Sequence, residues 1–542
     1  MTSPIDLSPH APDLREGSLL GRFARSALQG EVNDVLAPLA VLPGSAGARD
    51  LGPAPAADRA ALASSLETDN AERGHVRTAE LSAKLADPAT RVVVTGQQVG
   101  LFGGPLYTLT KALAATLWAR RIEEETGTPA VAVFWMATED HDYAEVAKAY
   151  LPQLEAPGFQ LVPDAQPLLP VGARRLGDEP QASLDEWAER LQHRPEALAR
   201  LGQLRAWYAP TRSWGAAFGD LLIAALGDSC PLLLDSQLPK LKELQAPWHR
   251  RLLKEREAVD HALDRGHERV GRAGFSPRTR RVAGQSPLFL LDEQGARRRI
   301  CWESDRYALR GSDAEGSIDD LYRLLESAPE RFTPGALARA MVADAVLGSS
   351  LQILGPGEVA YMAEAAPLYD TLGVPAPRIA QRPQAALVPK RQVPRVVELA
   401  EAGLTPALLL GEEEAIERTL AARAGEDPVA AALPEIEAFL DRLGESCCSL
   451  DPQLESPVNK TRSSVLGALN KLSSKSTASR ARQDQTLASR AQALRNVLLP
   501  GAPQDRVVTA AHYFVEIENF GDWFAEHLKL DPRTLQLLPL PQ

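Results

Sequence analysis

Two stretches decide the reading of this chain: Arg91–Lys111, RVVVTGQQVGLFGGPLYTLTK, and Pro129–Glu145, PAVAVFWMATEDHDYAE. Each opens on a β-branched or apolar run and closes on polar groups. Arg91–Thr95 reads as a strand. Pro105 suits a first helical turn, where its missing N–H costs nothing, and Leu106, Leu109, Leu113 and Leu117 then repeat at helical spacing toward Arg121. Val131–Met136 is almost continuously apolar, as expected of a parallel strand buried on both faces. The spacing therefore predicts a βαβ unit with its polar groups at the strand ends, where open α/β sheets bind ligands.

Working outward, Ala56–Leu85 has helical character, and Cys230–Asp235 (CPLLLD) reads as a third buried strand. Gln237–Gly266 reads as one long charged helix. Ser286–Asp292 and Arg298–Trp302 flank a Gln294–Gly295 turn, which predicts a hairpin in an inserted α+β subdomain. Pro334–Leu347 reads as a helix leading into a strand at Ser350–Leu354. Beyond Glu412 three helical faces follow: Ile436, Phe439, Leu440 and Leu443; Val458, Val465, Leu469 and Leu472; and Leu487, Ala491, Leu494 and Leu498. Their three- and four-residue steps predict an antiparallel coiled-coil arm. The expected organisation is a helical segment over 1–90, a first core part over 91–150 and a connecting insert over 151–330 that includes the strand at 230–235. A second core part over 331–390, a helical linker with the arm over 391–500 and a cap over 501–542 complete it.

Composition bounds the partners. The chain has 542 residues and a formal net charge of −12, which argues against nucleic-acid or anionic-membrane binding. The N-terminal sequence lacks a basic segment followed by an apolar one, and no apolar run approaches the ~18 residues of a membrane helix. The four cysteines, Cys230, Cys301, Cys447 and Cys448, form no CxxC pair. A cytoplasmic location is expected.

The glycine-rich loop after the first strand lets backbone N–H groups approach a phosphate or carboxylate at a helix N-terminus. It lacks the GK[ST] of a P-loop, and its glycine spacing departs from the dinucleotide fingerprint. Thr95, Gly96, Gln97, Gln98, Gly100, Gly103, Gly104, Pro105, Tyr107, Thr108 and Lys111 are therefore the candidate binding floor. Lys111 offers a point charge for a phosphate, or is a solvated helix lysine. Glu139, Asp140, His141 and Asp142, with Glu145 nearby, form the densest titratable cluster and are the candidate catalytic groups. No second histidine follows His141 at helical spacing, so no metal is expected. Gly355, Gly357, Glu358 and Tyr361 form a second strand-to-helix glycine turn, and Arg382 is a candidate anion ligand.

TGQQVGLFGGPLYT at 95–108, PAVAVFWMATEDHDYAE at 129–145, GPGEVAYMAEAAPLYDTLGVPAPR at 355–378 and PGAPQDR at 500–506 together resemble the bacillithiol biosynthesis cysteine-adding enzymes, the BshC family of cysteine ligases. The resemblance implies a Rossmann-like core of the class I synthetase and nucleotidyltransferase type, with connecting inserts and a coiled-coil arm that forms a homodimer. GGPLYT at 103–108 would occupy the place of the synthetase HIGH motif, without its histidines. The implied reaction joins the cysteine carboxyl to the amine of glucosaminyl-malate. Such a carboxyl needs activation, with ATP as the candidate source and an acyl-adenylate as the candidate intermediate. Asp140 or His141 would take the amine proton, and Glu139 or Asp142 would orient it. Departures from the family pattern fall at Arg339-Ala340, Met362 and Asp505. Two other readings are a ligase or nucleotidyltransferase of the same fold with another amino-acid or sugar substrate, and a non-catalytic dimeric scaffold.

Overall fold

The computed structural model describes residues 5–16, 18–36, 41–42, 47–51, 58–152, 158–161, 166, 168–423, 427–481 and 485–541. They fall into two compact units, one of residues 13–386 with 504–541 and one of 1–12 with 387–503.

The larger unit is built on a parallel sheet of six strands: β1 (Val41–Leu42), β2 (Arg91–Gln97), β3 (Ala130–Met136), β4 (Leu232–Asp235), β5 (Ser349–Leu354) and β6 (Arg378–Gln381). Their spatial order is β1-β6-β5-β2-β3-β4. From β2 the chain steps outward to β3 and β4 on one side. It later returns on the other side as β5 and β6, so the order reverses between β2 and β5. Ligands of open α/β sheets bind at such a reversal. β2 and β3 pair in register from Arg91↔Ala130 to Gln97↔Met136, which brings their C-terminal ends level.

Alternation along the strands explains why both faces are covered. Val92, Val94, Val131, Val133, Trp135, Leu232 and Leu234 share one apolar cluster with Leu62, Leu66, Leu81 and Leu85 of two helices, Ala60–Glu72 and Thr78–Ala86. Val93, Ala130, Ala132, Leu351 and Ile353 point the other way, onto Ala114, Ala115, Trp118 and Ile122 of the helix Tyr107–Thr126. Buried Arg59 ties the first layer down, donating to the carbonyls of Leu85 and Leu347 at 2.9 Å each.

The insert contains a five-stranded antiparallel sheet. Its hairpin pairs Gln285–Leu291 with Arg297–Glu303, and Asp292 closes the turn by accepting from the N–H groups of Gln294 and Ala296. The single helix expected over 237–266 is two, Pro239–Lys254 and Arg256–Arg272, interrupted at Glu255 with ψ 25°. Sequence patterning missed β6, whose Arg-Ile-Ala-Gln has no apolar run, and β1, a two-residue edge strand paired with it.

In the smaller unit Pro428–Leu450 and Glu455–Ala481 form an antiparallel helical hairpin. Arg462 donates to Asp441 at 2.9 Å, and Ser473 and Ser476 donate to Asp427 at the far end. Gly444 permits close approach, since a Cβ there would lie 3.0 Å from Val458. The third expected seam belongs elsewhere. Leu487, Ala491, Leu494 and Leu498 are buried in a separate helix, Gln485–Leu498, packed on the helices Val393–Glu401 and Pro406–Leu409. Among the described residues no helix is long and apolar enough to cross a membrane.

Candidate active site

The C-terminal ends of β2, β3, β5 and β6 open into a cleft of two adjoining chambers, about 560 and 520 Å³. Gln97, Gln98, Tyr107, Glu145 and Arg506 line both, so the segment after β2 forms the divider. The first chamber continues over Gly100, Gly104 and Pro105 to Lys148 and Tyr150. The second is walled by Gly96, near the end of β2, and by Lys111, Asp140, Gly355, Gly357, Glu358, Tyr361 and Arg382, which follow strand ends or lie on the first two turns of a helix.

The loop after β2 is shaped by close approach. A Cβ at Gly100 would lie 2.7 Å from the Gly104 Cα, and Gly104 itself has φ +66°. Gly103 turns away from the cleft and packs on Leu221 and Ala510, its N–H donating to the Tyr208 hydroxyl at 3.0 Å. Thr108 is fully buried, and Thr95 donates to the Ile353 carbonyl at 2.8 Å, bracing β2 against β5. These three candidate floor residues hold the loop rather than face the cleft.

Lys111 is neither solvated nor free. It is 1% exposed, and its ammonium donates to Glu358 at 2.6 Å, to the Gly96 carbonyl at 2.5 Å and to Gln97 at 3.2 Å. It clamps the end of β2 to the helix Pro356–Thr371. Burial lowers the Lys111 pKa, and the Glu358 charge opposes that shift. Glu358 also accepts from the Gly355 N–H at 2.6 Å and from the Tyr361 hydroxyl at 3.3 Å. Arg382 is buried over the Tyr107 ring and sits 2.8 Å from Asp505, close but off hydrogen-bond alignment.

The four-residue titratable cluster is split by the structure. Asp140 faces the second chamber and accepts from Gln98 at 2.8 Å. Burial would raise its pKa, but Arg297, Gln98 and the His141 N–H outweigh that, and the net shift is downward. Glu139 points into the core, 2% exposed, with neither carboxyl oxygen hydrogen-bonded. Burial pushes its pKa up, against the nearby Lys242, Arg339 and Arg297 charges. His141 lies outside both chambers, 3.0 Å from Arg297 and against the Phe289 ring. Asp142 is exposed and caps a short helix by accepting from the Glu145 N–H at 3.2 Å. The alternation of one turn explains the dispersal: four consecutive residues leaving a strand cannot face one cavity.

Glu145, named in the sequence only as a neighbour of the titratable cluster, is a cleft group, and several others escaped the sequence reading. Glu145 lines both chambers; partial burial at the mouth, then Asp142 and Asp140, push its pKa up. Arg278, Arg339 and Arg506 reach the second chamber from distant segments, and Gly21, Phe23 and Ala24 supply a wall. Arg506 lies in the PGAPQDR stretch, so a signal for it existed. Arg278 carried none; its loop is pinned by fully buried Glu364, which accepts from the Arg278 and Thr279 N–H groups. Arg297, from the insert, lines neither chamber but braces Asp140 from behind, donating to it at 3.4 Å while it stacks over Phe289 at 4.0 Å. The second chamber therefore sets five cationic side chains against three carboxylates, a surface suited to anionic groups.

A family model described as "Bacillithiol biosynthesis BshC, N-terminal Rossmann-like domain" matches residues 48–383. The chain is 30% identical over 470 residues to "Putative cysteine ligase BshC" of Salinibacter ruber, covering 84% of each chain. It is 32% identical over 428 residues to the protein of that name from Thermus thermophilus, 78% of this chain and 83% of that one. The Solibacter usitatus protein of the same name is 29% identical over 452 residues, 82% of each. With a Rossmann-like sheet beneath the matched region and its loops converging on one cleft, the chain belongs to the BshC family of bacillithiol biosynthesis.

Proposed function

We propose that the chain is a cysteine ligase that forms an amide between the cysteine carboxyl and the amine of glucosaminyl-malate. The observation that carries this reading is the pairing of two cleft carboxyls whose pKa values are pushed apart, Asp140 down and Glu145 up, beside a cluster of guanidinium groups. Divergent environments of this kind separate proton-transfer roles from anchoring roles.

In this reading Glu145 takes the proton of the attacking amine, and Asp140, held by Gln98, orients the amine as a fixed anion. Arg278 and Arg382 bind the malate carboxylates or the phosphates of ATP, guanidinium groups being matched to both. ATP supplies, when bound, the activation that a free carboxylate lacks. Gln97, at the divider between the two chambers, positions the acyl oxygen. The core is read as class I synthetase-like with the HIGH position filled by GGPLYT. The hairpin Pro428–Ala481 exposes Phe439, Leu443 and Leu472, and a second copy of the chain is their proposed partner through a coiled coil.

Thiol profiling of a deletion strain tests the assignment. The bacillithiol pool should vanish, glucosaminyl-malate should accumulate, and the wild-type gene but not its Asp140→Asn form should restore the pool. An unchanged bacillithiol pool in the deletion strain would overturn it.

A further inference from the structure

Behind the cleft floor lies a smaller space of about 50 Å³. It adjoins the second chamber, sharing Gly96, Arg339, Glu358 and Tyr361 with it. Most of its wall is apolar, from Val94, Ala340, Ala343, Leu354 and Met362. Two polar atoms of its lining side chains are buried with no partner: Gln352 Oε1 and Trp135 Nε1. Both side chains are 4% exposed. The Gln352 amide nitrogen is already engaged, donating to Asp344 at 2.6 Å, which fixes the amide and leaves its carbonyl oxygen as a free acceptor. Buried polar groups without partners are costly and call for an explanation.

We infer that this space receives the side chain of the amino-acid substrate and selects a thiol; the inference rests on the ligase reading above. The volume admits only a few heavy atoms, since a single water needs about 10–15 Å³ measured this way. A CH₂–SH group fits, and a methionine or aromatic side chain does not. A thiol is a weak donor and a weak acceptor, suited to one unpartnered acceptor and one unpartnered donor in a mostly apolar wall. Its polarizable sulfur also gains from contact with an indole and a thioether. A hydroxyl would give up more hydration for the same two partners. At the mouth, Glu358 and Arg339 present a carboxylate and a guanidinium, complementary to an α-ammonium and an α-carboxylate.

Calorimetric titration of the full chain, under reducing conditions, with L-cysteine, L-serine, L-alanine and L-methionine tests this. Cysteine should bind at least tenfold tighter than serine or alanine, and methionine should not bind. Ala343→Leu, which fills the space, should weaken cysteine at least tenfold. Met362→Ala, which enlarges it, should gain binding of L-homocysteine. Melting curves of both variants identify any that fail to fold, and either folded one decides the matter. If the wild type converts cysteine to bacillithiol and a folded variant keeps the wild-type amino-acid profile, the thiol pocket is wrong while the ligase reading stands. If the wild type binds no amino acid and forms no product, both fall.

Discussion

Arg297 Nη1 lies 3.0 Å from His141 Nδ1. A guanidinium only donates, so this ring nitrogen accepts and the imidazole proton sits on Nε2. Burial, then the Arg297 charge, lowers the His141 pKa, with Asp140 and Asp142 opposing. The most obvious base in the sequence is thus held neutral against the insert sheet, outside the cleft. His141→Gln should cut kcat/KM by less than tenfold, whereas Asp140→Asn should cost about 10²-fold or more. In ¹⁵N spectra the wild-type ring should report the Nε2–H tautomer, and Arg297→Met should raise the His141 pKa.

Glu145 should set the acid limb of the pH–rate profile. Its carboxyl is pushed up by burial and by the charges of Asp142 and Asp140. Asp142→Asn removes one of those charges while an asparagine can still cap the short helix. The Glu145 pKa should then fall, and the acid limb of kcat/KM should move to lower pH. An unmoved limb would assign the proton transfer to another group.

Lys111 and Glu358 should behave as one structural unit. Lys111→Met leaves the Glu358 carboxylate and the Gly96 carbonyl without their shared donor. Breaking a buried pair by removing one partner costs about 3–5 kcal/mol, and the 23% exposure of Glu358 places this pair near the lower figure. Denaturant unfolding should report that loss, together with a fall in kcat as β2 and the glycine turn after β5 lose their tether.

Two buried histidines should make the fold acid-sensitive. His249 and His512 are each pushed down to about 3 by burial, with Lys242 adding to the shift at His249 and Arg194 at His512. Above pH 6.5 both folded and unfolded forms are neutral, so neither histidine contributes. As pH falls below 6.5 the unfolded chain takes up protons that the folded one refuses, and stability drops by ~1.4 kcal/mol per unit for each histidine. His249→Leu should therefore recover about 2 kcal/mol of the difference in unfolding free energy between pH 7 and pH 5. An equal pH dependence in the variant would show that His249 is protonated or solvated in the fold.

The parts of the fold legible in the sequence were those with strong local patterning. β2, β3, β5 and the helix Tyr107–Thr126 follow from apolar runs and leucine spacing. β1 and β6 did not, because β1 has only two residues and β6, Arg-Ile-Ala-Gln, lacks the apolar run that marked β4 at the same length. The binding floor was legible because glycines, Gln97 and Gln98 are contiguous. The cationic wall was not: Arg339 and Arg506 lie in stretches the sequence singled out and Arg278 in none, but only tertiary structure brings the three to one chamber. The Glu139–Asp142 cluster was visible, but residue type could not say which of its members faces the cleft. The seam at Leu487–Leu498 misled, because an ordinary buried helix face repeats with the same three- and four-residue steps as a coiled coil.

The central claim is that this cleft joins cysteine to glucosaminyl-malate, and the most direct measurement is product formation by the purified full chain. Incubated with L-cysteine, glucosaminyl-malate and ATP, the wild type should yield bacillithiol by mass spectrometry, and Asp140→Asn and Glu145→Gln should yield at least a hundredfold less. Absence of bacillithiol from the wild type, or undiminished yield from both variants, would contradict it.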